Sequence, residues 1–244
     1  MISFGNLNLE SDQLISFLKQ ELRVKDLCRQ IICRQIVNAA AEDKGIILSE
    51  DDVQEKADQM RHQMKLESAK DTLQWLEDQC ITPEDWETGV RERLLQEKLA
   101  EHLFKQEVPA YFTQNKLNYE KVVLYRFMVP EEPLAQELFY QITEAETSFY
   151  QAAHQYDMNE PRRLCCGYGG TVFRWALIPD LAAQIFGSQP QEVLGPIQFE
   201  EGYELMMVED FLAAELTDDV HKRILNQLFQ EWLDRELTYL MHKD

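Results

Sequence analysis

The chain has 244 residues, 45% of them hydrophobic and 28% charged, which gives enough apolar material for one or two real cores and excludes a disordered chain. The formal net charge is −20 and the pI about 4.6. That acidity argues against nucleic acid and anionic membranes, because every phosphate contact needs a lysine or arginine. No apolar run is long enough to span a bilayer, and Met1 to Asn6 opens without a basic segment followed by an apolar one. The cysteines Cys28, Cys33, Cys80, Cys165 and Cys166 are odd in number and scattered, unlike a disulfide framework. These features together point to a cytoplasmic protein.

Taken in chain order, the first half reads as helix. From Ser11 to Glu42 the apolar residues Leu14, Leu18, Leu22, Leu27, Ile31, Ile32, Ile36 and Ala39 recur at helical spacing, and Gly45 stops the pattern. Ser49 with Glu50, Asp51 and Asp52 reads as an N-cap followed by acids in the first turn of a helix through Met60 and Met64. Ser68 and Asp71 open a short helix with Leu73, Trp75 and Leu76. Thr82, Pro83 and Asp85 start a long amphipathic helix carrying Val90, Leu94, Leu95, Leu99 and Leu103, which Pro109 breaks.

The pattern changes after Asn118. Lys121 to Val129 is rich in β-branched and aromatic residues and reads as a strand that Pro130 and Pro133 end. Leu134, Leu138 and Ile142 mark a helix, and Phe149, Ala152, Ala153 and Tyr156 a second. Gly167, Gly169 and Gly170 mark a turn-rich loop. Pro179 to Phe186 is a short helix, an extended piece begins at Gly195-Pro196-Ile197, and Tyr203 to Val208 is the final strand. Thr217 to Lys243 is one more helix with Val220, Ile224, Leu228, Trp232 and Leu233 as its apolar face. The order predicts an α+β protein with a split helical part.

The stretch from Glu120 to Asp210 resembles the parvulin family of peptidyl-prolyl isomerases. The motifs that carry the likeness are Arg126-Phe127-Met128-Val129, the Phe149, Ala153, Tyr156, Asp157 series and Gly169-Gly170. Leu177 to Phe186, Gln191 to Ile197 and Gly202-Tyr203-Glu204-Leu205-Met206 complete it, all in order and at the family's spacing. The helical half resembles the N-terminal chaperone domain of SurA and its relatives through Gly45 to Val53 and Cys80 to Trp86. The resemblance implies a SurA-like helical domain over 1–118, a parvulin-like (FKBP-like) βα domain over 119–212, and a C-terminal helix over 213–244 that packs back on the helical domain.

The family's catalytic signature is largely replaced. Arg126 stands at the first histidine position, Glu204 at the second, and Asn159 near the cysteine or aspartate position; Leu177 and Leu181 stand where a methionine and phenylalanine surround the proline ring. No residue is therefore assigned as catalytic. Arg126, Met128, Leu177, Leu181, Phe186 and Glu204 are the peptide-binding candidates. Arg126 and Glu204 are expected to face each other across adjacent strands, where opposite charges are favourable; two unrelated charges on a degraded site are the alternative.

Rotation about an X–Pro bond has to break amide resonance, a barrier of about 18–20 kcal/mol, and needs an apolar grip and positioned hydrogen bonds rather than a nucleophile. The resemblance thus implies a folding chaperone that binds extended polypeptide or a peptide precursor, in peptide maturation or secretion, with isomerase activity weak or lost. A working divergent isomerase and a structural adaptor are the alternatives. No cofactor, metal, nucleic acid or membrane insertion is expected. Cys165-Cys166 with His154 lacks metal-ligand spacing and reads as small buried residues. Met60 and Met64 read as core, and His62 and His102 as solvent-facing.

Overall fold

The computed structural model describes the backbone of residues 2–4 and 7–242 and the side chains of residues 8–242. Met1, Gly5 and Asn6, and the expected helix end at Lys243, lie outside the described residues. The chain divides into two compact units, residues 1–108 with 222–244, and residues 109–221. No described helix is long and apolar enough to cross a membrane.

In the first unit a short hairpin, β1 (Ile2–Phe4) and β2 (Leu7–Leu9), precedes helices α1 (Ser11–Gln20) and α2 (Val24–Asp43). The single helix expected over Ser11 to Glu42 is thus two. Leu22 takes the left-handed conformation at φ 57°, and the Arg23 N–H donates to the Leu18 carbonyl at 2.9 Å, closing α1. The next three helices start where their caps predict. In α3 (Glu50–Gln63), α4 (Ala69–Asp78) and α5 (Pro83–Phe104), Ser49, Ser68 and Thr82 accept from the third backbone N–H, while Asp52, Asp71 and Asp85 reach back to the cap. Met60 is buried but Met64 is exposed, because Met64 already lies past the end of α3. His62 and His102 face solvent. Pro109 does not break α5. The helix ends at Phe104, and Pro109 sits in the first turn of α6 (Val108–Gln114), where its missing N–H costs nothing.

The second unit is a four-stranded antiparallel sheet in the order β4-β3-β6-β5. β3 is Lys121–Val129, as its composition predicts. It is followed by α7 (Glu132–Thr143), α8 (Phe149–Tyr156) and the short α9 (Glu160–Leu164). β4 (Tyr168–Phe173) follows, then α10 (Pro179–Gly187), β5 (Val193–Phe199) and β6 (Gly202–Leu212). The glycine-rich stretch expected as a loop is therefore largely the edge strand β4. Gly167 has φ +88°, and a Cβ there would meet the Ala153 Cβ at 2.8 Å, so the chain can enter β4 this close to α8 only as glycine.

Side chains alternate across the sheet. Phe127, Val129, Leu205 and Met207 pack with Ala135, Leu138, Phe149 and Ala153 of α7 and α8 on one face. Val122, Leu124, Met206 and Val208 pack with Leu181 and Ile185 of α10 on the other. The last helix, α11 (Asp218–Met241), belongs over most of its length to the helical unit, where Asp234 pairs with Arg29 of α2. Its buried residues are Val220, Ile224, Leu225, Phe229, Leu233 and Leu237, whereas Leu228 and Trp232 are half-buried. The apolar face is thus rotated from the one read off the sequence.

Candidate functional site

Alternation on β3 puts Arg126 and Met128 on the same sheet face as Leu124, beyond the end covered by α10. β6 brings Glu204 to this face. Its direct cross-strand partner is Met128; Arg126 stands opposite Met206. Arg126 and Glu204 are therefore diagonal neighbours rather than facing residues, because the register is offset by one pleat. They still meet: Arg126 Nε lies 3.5 Å from Glu204 Oε1.

Glu204 has a second cationic neighbour, Arg162, which the sequence analysis did not single out. α8 ends at Tyr156, and the extended chain after it pairs with the end of β3. The Met158 N–H donates to the Met128 carbonyl at 3.0 Å, and the Met128 N–H donates to Asp157 Oδ1 at 3.2 Å. Asn159 then caps α9, accepting from the Arg162 N–H at 3.0 Å. One turn of helix swings the Arg162 side chain back onto Asp157 as a bidentate pair, Nε to Oδ2 at 2.6 Å and Nη2 to Oδ1 at 2.8 Å. Arg162 Nη1 also lies 3.6 Å from Glu204 Oε1. Asn159, the candidate for a cysteine or aspartate position, serves as this helix cap, and the neighbouring acid of the network is Asp157.

The result is a chain of four charges, Arg126, Glu204, Arg162 and Asp157. The Asp157 side chain is fully buried, Glu204 is 3% exposed and Arg162 15%, while Arg126 is 44% exposed. Burial pushes the Asp157 carboxyl up, but the bidentate Arg162 and the N–H groups of Asn159 and Met128 outweigh it, and the net shift is downward. For Glu204 burial dominates; Arg126 and Arg162 pull back, Asp157 adds to the push, and the net shift is upward. Arg162 is raised by its bonds to Asp157.

These opposite shifts give opposite pH dependence. Asp157, depressed in the fold, adds stability above its ordinary value of 3.8 that is lost as pH falls further. Glu204, raised in the fold, adds stability below its ordinary 4.5 that is lost as pH rises through the raised value. Between neutral pH and about 4.5 the Glu204 contribution should therefore grow as pH falls. Urea midpoints measured across this range should rise more steeply for the native chain than for Glu204→Gln. Parallel curves would show that Glu204 titrates like a solvated carboxylate.

Arg126, Glu204 and Arg162 floor a cleft of about 400 Å³ with Met128, Met158 and Phe199 as apolar walls and Asn159 and Glu201 at its edge. Gly169 opposite lets the Arg126 stem lie flat, since a Cβ there would meet Arg126 Cγ at 3.3 Å and the Leu124 carbonyl at 3.0 Å. Of the six peptide-binding candidates, the structure brings Arg126, Met128 and Glu204 together here. Leu177, Leu181 and Phe186 lie instead in the apolar cluster around Val122, Leu124 and Met206 and do not line the cleft. Phe186 is further covered by Arg174, 4.8 Å above its ring, and by Phe211. Phe199 and Met158 are the apolar lining that sequence reasoning missed; neither stands in a distinctive motif. Cys165 is exposed and Cys166 half-buried, not the small core residues expected, because they follow α9 on an outer turn. His154 Nδ1 lies 3.1 Å from the Arg163 carbonyl, which fits a proton on that nitrogen.

Residues 131–210, which hold most of this sheet and its cleft, match the family model described as the PPIC-type PPIASE domain. This part of the chain is a parvulin-type domain, joined to a helical unit. Over 211 residues the chain is 23% identical to the foldase protein PrsA of Halalkalibacterium halodurans, a match covering 82% of this chain and 62% of that protein, less than two thirds of its length. Two crystal structures of peptidylprolyl isomerase PrsA share the fold. That from Bacillus anthracis is 17% identical, with 89% of this chain and 99% of that one covered at a TM-score of 0.53. That from Bacillus cereus is 14% identical, with 100% and 92% covered at a TM-score of 0.50.

Proposed function

We propose that this protein is a foldase-type chaperone that holds extended polypeptide in the parvulin cleft, with prolyl isomerisation weak or lost. The observation that carries this reading is the cleft floor. An amide-twisting site disfavours the planar, charge-separated amide by surrounding it with apolar and finely placed neutral groups. Here the floor is an ion-pair chain whose buried acids are already committed to Arg162 and Arg126. Half-exposed Arg126 and the walls Met128, Met158 and Phe199 offer a peptide a hydrogen-bond donor beside apolar surface, which suits holding more than twisting. The likeness to PrsA foldases supports unfolded or extended polypeptide as the client, and a peptide-maturation or secretion setting belongs to the same proposal.

A protease-coupled assay on short X–Pro peptides is expected to give kcat/KM at least about 10²-fold below that of an active parvulin, the ordinary worth of one lost preorganised hydrogen-bond donor. Turnover equal to an active parvulin would replace this reading with that of a divergent working isomerase gripping proline between Met128 and Phe199.

A further inference from the structure

The turn between α9 and β4 carries two adjacent thiols, Cys165 and Cys166, that take no part in the cleft. Cys165 is exposed at the end of α9, and Cys166 is half-buried at φ 53°, in the left-handed region. Cys166 lines an open hollow of about 620 Å³ with Tyr150 and His154. Both thiols are free and one is open to solvent, the condition under which a cysteine meets an oxidant. The other cysteines, Cys28, Cys33 and Cys80, have no cysteine beside them in the chain.

Adjacent thiols differ from single ones because one peptide bond keeps each beside the other, so an oxidised sulfur meets its partner before it meets anything else. Adjacent Cα atoms are about 3.8 Å apart, closer than the about 4.4 Å at which unstrained disulfides begin. The bond therefore closes only by bending the turn, and a strained disulfide is the readily reduced, reversible kind. The turn is held by hydrogen bonds that lead straight to the cleft. The Gly167 N–H donates to the Arg162 carbonyl at 2.9 Å, and the Gly167 carbonyl accepts from the Arg126 N–H at 2.8 Å. Arg162 and Arg126 are the two cations that meet Glu204. Gly167 has no spare room toward α8, since a Cβ there would meet the Ala153 Cβ at 2.8 Å. A shift at Cys166 is thus passed on to β3 rather than absorbed.

We propose that Cys165 and Cys166 form a reversible redox modification site whose oxidant is a hydroperoxide, and that closing it loosens the cleft. The exposed Cys165, as thiolate, attacks a peroxide oxygen; the O–O bond breaks, leaving a sulfenic acid on Cys165 and releasing water. The Cys166 sulfur then attacks the Cys165 sulfur, the S–O bond breaks, and hydroxide leaves as water with the Cys166 proton. The two thiols together lose two electrons and the peroxide gains them. A dithiol reductant reverses the change by exchange. The inference rests on the chaperone reading above for its consequence and adds to it control of the cleft by oxidation.

The test treats the full native chain with equimolar hydrogen peroxide, alkylates it with iodoacetamide and digests it with trypsin. Cleavage after Arg163 and Arg174 releases residues 164–174, which hold this pair and no other cysteine. That peptide should be two hydrogens lighter and carry no alkyl group, dithiothreitol should restore both alkylation sites, and the exposed but solitary Cys28 should stay alkylated. Two alkylated thiols in residues 164–174, or equal oxidation of Cys28, would overturn the site. The Arg126 and Gly167 amides should exchange hydrogen about tenfold faster in the oxidised chain, as loosened hydrogen bonds do. Unchanged exchange would overturn the coupling to the cleft. Binding of labelled, reduced and carboxymethylated α-lactalbumin should weaken about tenfold on oxidation. Cys166→Gly, which suits the left-handed turn, should show none of these responses. Equal affinity of the two redox forms would overturn control of the cleft. No binding of this probe by the reduced chain would sink the chaperone reading instead, while the mass and exchange results still decide the site.

Discussion

Ending the chain after Leu216, which removes α11, is expected to abolish cooperative folding of the helical unit. The deleted segment carries Ile224, Leu225, Phe229, Leu233 and Leu237, none more than 7% exposed. Burial of each large apolar side chain contributes about 1.5–3 kcal/mol. A domain's whole stability is about 5–15 kcal/mol, so losing five such contacts together exceeds what the unit can spare. Arg29 would also lose Asp234, though that exposed pair contributes little. Circular dichroism melts and gel filtration should show a broad, non-cooperative transition and aggregation. A truncated chain that keeps the thermal midpoint of the native one would show that α2 and α5 form a core without α11.

The second large effect concerns Arg162. Replacing it with methionine should destabilise the parvulin domain by about 3–5 kcal/mol, because Asp157 is left buried with its charge unpaired. Asp157 is fully buried and takes two of its hydrogen bonds from Arg162 at 2.6 and 2.8 Å. Glu204 loses its more buried partner in the same change, which leaves it with Arg126 alone among the cations of the cleft. The Asp157→Asn, Arg162→Met double variant removes both charges and should recover much of the loss, since a neutral amide can still accept from Met128 or Asn159. Urea midpoints of native, single and double variants form the cycle. Equal destabilisation by the single and double variants would mean that packing of the Arg162 stem, not its charge, is what the domain needs.

The fold class and most element positions were legible locally. Ser49 with Asp52, Ser68 with Asp71, and Thr82 with Asp85 place three helix starts because a capping box is complete within four residues. The run Lys121–Val129 places its strand because nearly every residue in it favours a pleated, half-buried surface. The site was legible in part. Arg126 and Glu204 could be paired from motif order alone, whereas Arg162 and Phe199 carry no mark in the sequence that separates them from other arginines and phenylalanines.

What the sequence by itself determined, then, is whatever is decided within a turn of helix or a stretch of strand: caps, periodicity, and the acidic balance of the surface. The tertiary structure alone decided the rest. Leu22 closes α1 in a conformation usually left to glycine, stabilised by the Arg23 N–H donating to the Leu18 carbonyl rather than by its own preference. Gly170 enters a strand because β3 supplies the pairing, Leu124 standing opposite it, that its intrinsic tendency opposes. Asp157 and Arg162 became the inner end of the charge chain because the end of β3, the cap at Asn159 and the register of β6 converge there. A buried charge is tolerable only where partners from separate elements meet it, and no local pattern records where those elements will meet.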